Sequence, residues 1–192
     1  MIIGITGGTG CGKTTLLNVI AEAGGLILDC DAIYHDLLQR DDSLLKSIEA
    51  RFPGTVENGQ LQRKKLGSIV FADSQALLDL NAITHAAVKA EVQRRLEAQP
   101  ALAAIDAIAL FEGGLSELCD TTVAITAPTE DRVRRLMVRD NIPEDYARSR
   151  IAAQHSEDWF RQRCDCILKN NGTQIQFYEK CLAFLRRFGI II

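Results

Sequence analysis

Residues Gly7 to Thr14 read Gly-Gly-Thr-Gly-Cys-Gly-Lys-Thr, a spacing of glycines, lysine and hydroxyl that suits phosphate. The pattern G-x-x-x-x-G-K-[ST] is met by Gly7, Gly12, Lys13 and Thr14, with Gly8 and Gly10 inside it. In such a turn, backbone N–H groups at a helix N-terminus form a nest aimed at the terminal phosphates of a nucleotide. Lys13 can reach the β- and γ-phosphates, and the Thr14 hydroxyl can ligand Mg²⁺. The expected ligand is a nucleoside triphosphate. What remains is where its phosphate goes.

Asp31 follows a short apolar run, at the edge where ligands bind in open α/β sheets. A carboxylate there could take the proton of an attacking hydroxyl. It could equally cap a helix starting near Ala32, and the two roles are compatible. Asp29 would share a face with Asp31 if the strand continued. Arg132, Arg135 and Arg139 are spaced i, i+3, i+7 and form one stripe on a helix, with Val133, Leu136 and Met137 expected on the buried side. Such a stripe is a solvated face or a lid whose arginines neutralise a transferring phosphoryl group. Arg139, next to the helix break before Pro143, is best placed for the second role, with Arg148 and Arg150 behind it. Arg63-Lys64-Lys65 and His85 offer charge for an anionic acceptor, although Lys64 and Lys65 also read as a solvated face and His85 as a structural histidine. Glu112 is expected at the end of a strand. No aspartate is expected at that end, Asp106 lying too early in the run, so Mg²⁺ would rely on Thr14, phosphates, water and Asp31.

These residues need a frame. Ile2, Ile3 and Ile5 predict a first strand, and Leu16, Leu17, Val19 and Ile20 give the following helix an apolar face. Gly24-Gly25 closes that helix, and Leu26 to Leu28 begins a second strand. Ala101 to Phe111 predicts a third, Thr121 to Ala127 a fourth, and Cys166 to Leu168 a fifth. Strands without a polar face, alternating with helices, predict a parallel sheet covered on both sides. Between about Tyr34 and Gln99 helical periodicity dominates, punctuated by turns at Phe52-Pro53-Gly54 and Glu57-Asn58-Gly59. That stretch reads as an inserted subdomain for a substrate. A helical pair is expected over about 130–160. The whole is expected to be a single domain: core 1–33, 100–129 and 161–192, helical insert 34–99, lid 130–160.

The chain has 192 residues, 47% apolar and 24% charged, which suits one soluble globular domain. Its net charge of −3 argues against a nucleic-acid or membrane-surface binder. No apolar run approaches the roughly 20 residues of a membrane span, and the loop begins too early to leave room for a leader, so a cytoplasmic location is expected. Six cysteines without a secretory signal are expected as free thiols. Cys164 and Cys166 read as one face of a strand. Cys11, at a helix N-terminus, is either a favoured thiolate or a small filler of a tight turn.

The ordered series of motifs resembles dephospho-CoA kinase. It comprises residues 4–15, Asp29-Cys30-Asp31, Asn58 to Leu66 with Ile69-Val70-Phe71, Leu80-Asn81 through His85, Leu110-Phe111-Glu112, Arg135 to Asp140, Ala153-Gln154, Cys164-Asp165 and Asn170-Asn171-Gly172. The resemblance runs from residue 1 to about 173. It implies a P-loop NTPase fold of five parallel strands with helices on both faces, a helical CoA-binding insert and a helical lid. It also implies transfer of the ATP γ-phosphate, with Mg²⁺, to the ribose 3′-hydroxyl of dephospho-CoA, the last step of coenzyme A synthesis. Asp31 would then be the base, with Lys13 and Arg139 beside the phosphate. ATP would lie on Gly8, Gly10, Cys11, Gly12, Lys13, Thr14 and Thr15, and the acceptor near Arg63, His85 and Glu112. The expected partners are ATP and dephospho-CoA, with no nucleic acid or membrane and a monomer favoured. Three positions depart from the family: Ala86 and Ala109 replace prolines, and Phe160 replaces a frequent lysine, a lid charge that Arg161 or Arg163 would have to supply. A kinase for another nucleoside and a GTPase-type switch are the rivals. The insert's motifs speak against the first, and the lack of an Asn-Lys-x-Asp signature against the second.

Overall fold

Isoleucines at the start of the chain form β1 (Ile2–Thr6), with Ile3 and Ile5 fully buried. The structure, a computed structural model, describes residues 1–190. After the glycine turn come α1 (Lys13–Glu22), β2 (Leu26–Asp29), α2 (Cys30–Arg40) and α3 (Asp42–Arg51). A hairpin of β3 (Val56–Glu57) and β4 (Gln60–Leu61) leads into α4 (Arg63–Val70) and the long α5 (Ser74–Leu96). The chain then enters β5 (Ala103–Asp106), a short 3₁₀ turn at Leu115–Leu118 and β6 (Thr121–Thr126). It continues through α6 (Thr129–Asp140), α7 (Glu144–Ala152), α8 (Glu157–Arg163), β7 (Cys166–Lys169) and α9 (Gln174–Arg186). Among the described residues the main sheet has five parallel strands in the order β2-β5-β1-β6-β7, flanked by helices. Every residue of β6 is buried, as a strand covered on both faces requires.

By its contacts the chain divides into two compact units. One comprises Met1–Leu28, Pro100–Leu110 and the residues from Leu118 on; the other comprises Asp29–Gln99 and Phe111–Glu117. Residues 29–33 therefore cluster with the helical stretch that follows them, and the last two residues of the segment 161–192 lie outside the described residues. In the first unit, Ile3, Ile5, Leu16, Ile20, Val123 and Ile125 pack with Phe177 and Phe184 of α9. In the second, α2, α3, α4 and α5 enclose Leu38, Leu45, Ile48, Phe52, Leu66 and Val70. Its helices start on side-chain caps: Asp29 accepts from the Ala32 N–H, Asp41 from Ser43, and Asp73 from Gln75 and Ala76. The hairpin turns at Asn58-Gly59, both at positive φ (52° and 72°), the geometry that a two-residue hairpin loop favours. No helix among the described residues is long and apolar enough to cross a membrane.

Several expectations are corrected here. The apolar run from Ala101 to Phe111 is a strand only over Ala103–Asp106, because its second half buries Ala107 and Leu110 in a turn and not on a ladder. Asp106 thus does end its strand, and Glu112 sits beyond it in the turn region. The helix after β2 is capped by Asp29, so Asp31 falls inside its first turn and the strand does not reach it. The stretch 130–160 takes in parts of three helices and not a pair, because Ser156 caps α8 by accepting from the Trp159 N–H. Met137 is 36% exposed, while Val133 and Leu136 are buried. Cys164 is the C-cap of α8 and only Cys166 lies in β7, so the pair does not share a strand face.

Candidate active site

The loop after β1 delivers α1 with its N-terminus open. Gly12 is the N-cap, in the left-handed region at φ 99°, with no side-chain cap and no acidic residue in the first turn. The first N–H groups of α1 therefore lack a competing carboxylate, which suits a phosphate. A side chain at Gly12 would meet the Asn170 amide nitrogen at 2.5 Å. That contact matters because buried Asn170, just past β7, donates from Nδ2 to the Cys11 carbonyl at 2.9 Å. The Lys13 ammonium lies 3.4 Å from the Gly7 carbonyl and 3.9 Å from the Asp106 carboxylate, both of these side chains being 16% exposed. Cys11 is 2% exposed, and burial pushes its thiol up against the opposing pull of Arg132 and Lys13. The thiolate expectation does not hold; this is a small residue filling a turn. No disulfide joins the six cysteines among the described residues.

The α6 stripe meets this loop. Arg132 donates from Nε to the Thr9 carbonyl at 2.9 Å, and Arg135 to the Gly10 carbonyl at 3.0 Å. Arg139 reaches the Thr9 hydroxyl at 3.4 Å while gripping Asp140 through two bonds of 2.6 and 2.9 Å. Arg139 and Arg150 hold the Asp140 carboxyl down at about 2, so this clasp is charged at neutral pH. Arg148 is turned away into pairs with Glu130 and Glu144. Gln154, between α7 and α8, accepts from the Thr9 N–H at 2.9 Å.

Beside the loop lies a cavity of about 510 Å³, walled by Ala127, Pro128, Arg132, Gln154, His155 and Phe160 among others. His155 stacks on Trp159 at 3.7 Å with the rings 1° apart, and Phe160 stands edge-on to both. The Arg163 guanidinium covers Trp159 at 4.3 Å, and Arg161 pairs with Glu157. Phe160 itself is buried. An aromatic wall next to a phosphate nest suits a nucleobase.

In the second unit Asp31 is exposed in the first turn of α2. Arg63, at the start of α4, approaches His35 Nδ1 at 3.2 Å, and the adjacent Tyr34 hydroxyl is pushed up by burial. His85 is half-buried on α5, and Glu112 is exposed in the turn segment after β5. The sequence reading missed Asp106, Asn170 and the loop contacts of Arg132 and Gln154. Arg132 stands in the arginine stripe and Gln154 and Asn170 in the motif series, but spacing alone does not show which loop atoms they reach.

Residues 1–176 match the model of the family described as CoaE, dephospho-CoA kinase. The chain is 34% identical over 194 residues to a dephospho-CoA kinase of Corynebacterium diphtheriae, covering 98% of this chain and 97% of that one. It is 35% identical over 179 residues to the Bacillus licheniformis enzyme of that name, covering 90% and 89%. A Thermus thermophilus protein of known structure is 30% identical with a TM-score of 0.83, over 98% of this chain and 97% of its own. A shikimate kinase from Bacteroides thetaiotaomicron, 16% identical with a TM-score of 0.58 over 100% of this chain and 99% of its own, shares the P-loop fold.

Proposed function

The chain belongs to the dephospho-CoA kinase family, and on that premise we propose how its residues divide the work. The reaction is phosphorylation of dephospho-CoA to coenzyme A, the final step of coenzyme A synthesis. The observation that carries this reading is the family match over residues 1–176, which takes in both the phosphate loop and the insert. ATP lies with its triphosphate on Gly8 and on Gly10 to Thr15, and its base in the cavity beside His155 and Phe160. Lys13 leaves Asp106 and the Gly7 carbonyl for the β- and γ-phosphates. Asp31 takes the proton of the ribose 3′-hydroxyl, and Arg139 neutralises the transferring group.

Mg²⁺ keeps several waters and binds through one or two carboxylates plus phosphates. The Thr14 hydroxyl and the strand-ending carboxylate of Asp106, next to Lys13, are a donor set of that kind and fit the ion better than Asp31. When bound, Mg²⁺ supplies charge neutralisation on the phosphate oxygens. The insert 34–99 holds the acceptor, with Arg63, His85 and Glu112 as its contacts, and residues 130–160 form the lid over the core. We place the protein in the cytoplasm as a monomer acting on two small molecules; its net charge of −3 supports the part of this reading that leaves out nucleic acid and membrane surfaces.

ADP release should depend on dephospho-CoA and be absent with a panel of nucleosides. ADP formed equally fast without any acceptor overturns the kinase reading.

A further inference from the structure

Thr9, at the crown of the loop, gives all its polar groups to residues of the 130–160 segment. Its N–H donates to Gln154 Oε1 at 2.9 Å, its carbonyl accepts from Arg132 Nε at 2.9 Å, and its hydroxyl accepts from Arg139 at 3.4 Å. A second nitrogen of Arg132 donates to the same Gln154 oxygen at 2.6 Å. The bonds close a ring: the Thr9 N–H to the Gln154 oxygen, that oxygen to Arg132, and Arg132 back to the Thr9 carbonyl. The packing is tight. A methyl group on Gly8 would lie 2.3 Å from the Arg132 guanidinium and 2.8 Å from the Gln154 oxygen.

A trans peptide places its carbonyl and its N–H on opposite sides. With the Thr9 carbonyl fixed on the guanidinium, the N–H of Gly10 in the same peptide must turn the other way. A loop that binds phosphate needs its N–H groups inward, because an inward carbonyl would repel the phosphate oxygens. Arg132 is therefore poorly suited to touch the triphosphate itself: Nε and one terminal nitrogen are already committed. Gln154 is likewise committed through its oxygen, and the two donors fix which way its amide points.

We propose that Arg132 and Gln154 are positioning residues for ATP, which hold the Thr9–Gly10 peptide in its phosphate-binding orientation. This rests on the reading that the loop carries the ATP triphosphate. Arg135 adds a separate tie at the Gly10 carbonyl and stands outside the ring.

The test uses Gln154→Leu, Arg132→Leu and the double variant of the full chain, with MgATP affinity measured by calorimetry in the absence of any acceptor. Each single variant should weaken MgATP about tenfold, the effect of one or two lost hydrogen bonds. The double variant should lose no more than the worse single, since either change opens the same ring. In turnover the KM for ATP should rise while the KM for dephospho-CoA stays put. Arg132→Lys, which keeps the positive charge but cannot make both bonds of the ring, should repeat the ATP effect and guards against a misfolded leucine variant. Wild-type MgATP affinity in the folded single variants, losses that multiply in the double, or affinity that falls only in step with the melting temperature would each overturn the proposal. Because calorimetry needs no acceptor, such a failure would leave the wild-type reaction with dephospho-CoA untouched.

Discussion

Replacing Asp31 by Asn should lower kcat by about 10²–10⁴-fold, the range of a lost general base, while MgATP binding stays at the wild-type level. The substitution keeps the shape and removes the ability to accept a proton from a hydroxyl. The structure clears the main competing role for Asp31. The cap of α2 is Asp29, which accepts from the Ala32 N–H at 3.0 Å, so Asp31 is not needed to start the helix. What is left to Asp31 structurally is a negative charge in the first turn, worth about 0.3–1 kcal/mol to the helix dipole. A pair of variants separates the two aspartates. Asp29→Ala should lower the melting temperature through the lost cap, about 0.5–2 kcal/mol, and leave kcat nearly intact. Asp31→Asn should do the reverse. Retained turnover in Asp31→Asn, measured by coupled ADP release, would reduce Asp31 to a surface charge.

Lys13→Ala should lose phosphate affinity and transfer together, with kcat/KM falling on the order of 10²–10³-fold, as for removal of one preorganised donor to developing charge. A second consequence follows from the pair with Asp106. Both side chains are only 16% exposed, 3.9 Å apart. Removing the ammonium strips that cation from a largely buried carboxylate, which destabilises a protein beyond the worth of the pair itself. Lys13→Ala should therefore also melt at a lower temperature. Adding Asp106→Asn should recover part of that melting temperature and none of the activity. Activity recovered along with stability would mean that Lys13 acts on the fold and not on phosphate.

The loop could be read from its letters because every contributing residue is local: strand, glycine turn and helix occupy Ile2 to Glu22 without a break. The Asn58-Gly59 hairpin was legible as a turn for the same reason. Asp106 was not, since hydrophobicity reports burial and does not say whether Ala107 to Leu110 continue a ladder or fill a turn. The distinction between Asp29 and Asp31 depends on backbone angles two residues apart: Asp29 takes extended geometry at φ −77° and ψ 108°, where the cap must sit. Gln154 and Arg132 reach Thr9 across 145 and 123 residues, and no spacing in the chain announces such contacts. Arg139 stands between these cases. The stripe was visible, but its grip on Asp140 depends on the helix stopping at Asn141, in the left-handed region.

The position of the transferred phosphate tests the account most directly. Dephospho-CoA incubated with MgATP and the enzyme should give a single new phosphomonoester by phosphorus NMR, at the ribose 3′-oxygen, in step with ADP. A phosphate found at the 2′-oxygen or on the pantetheine hydroxyl, or ADP without any phosphorylated acceptor, would contradict it.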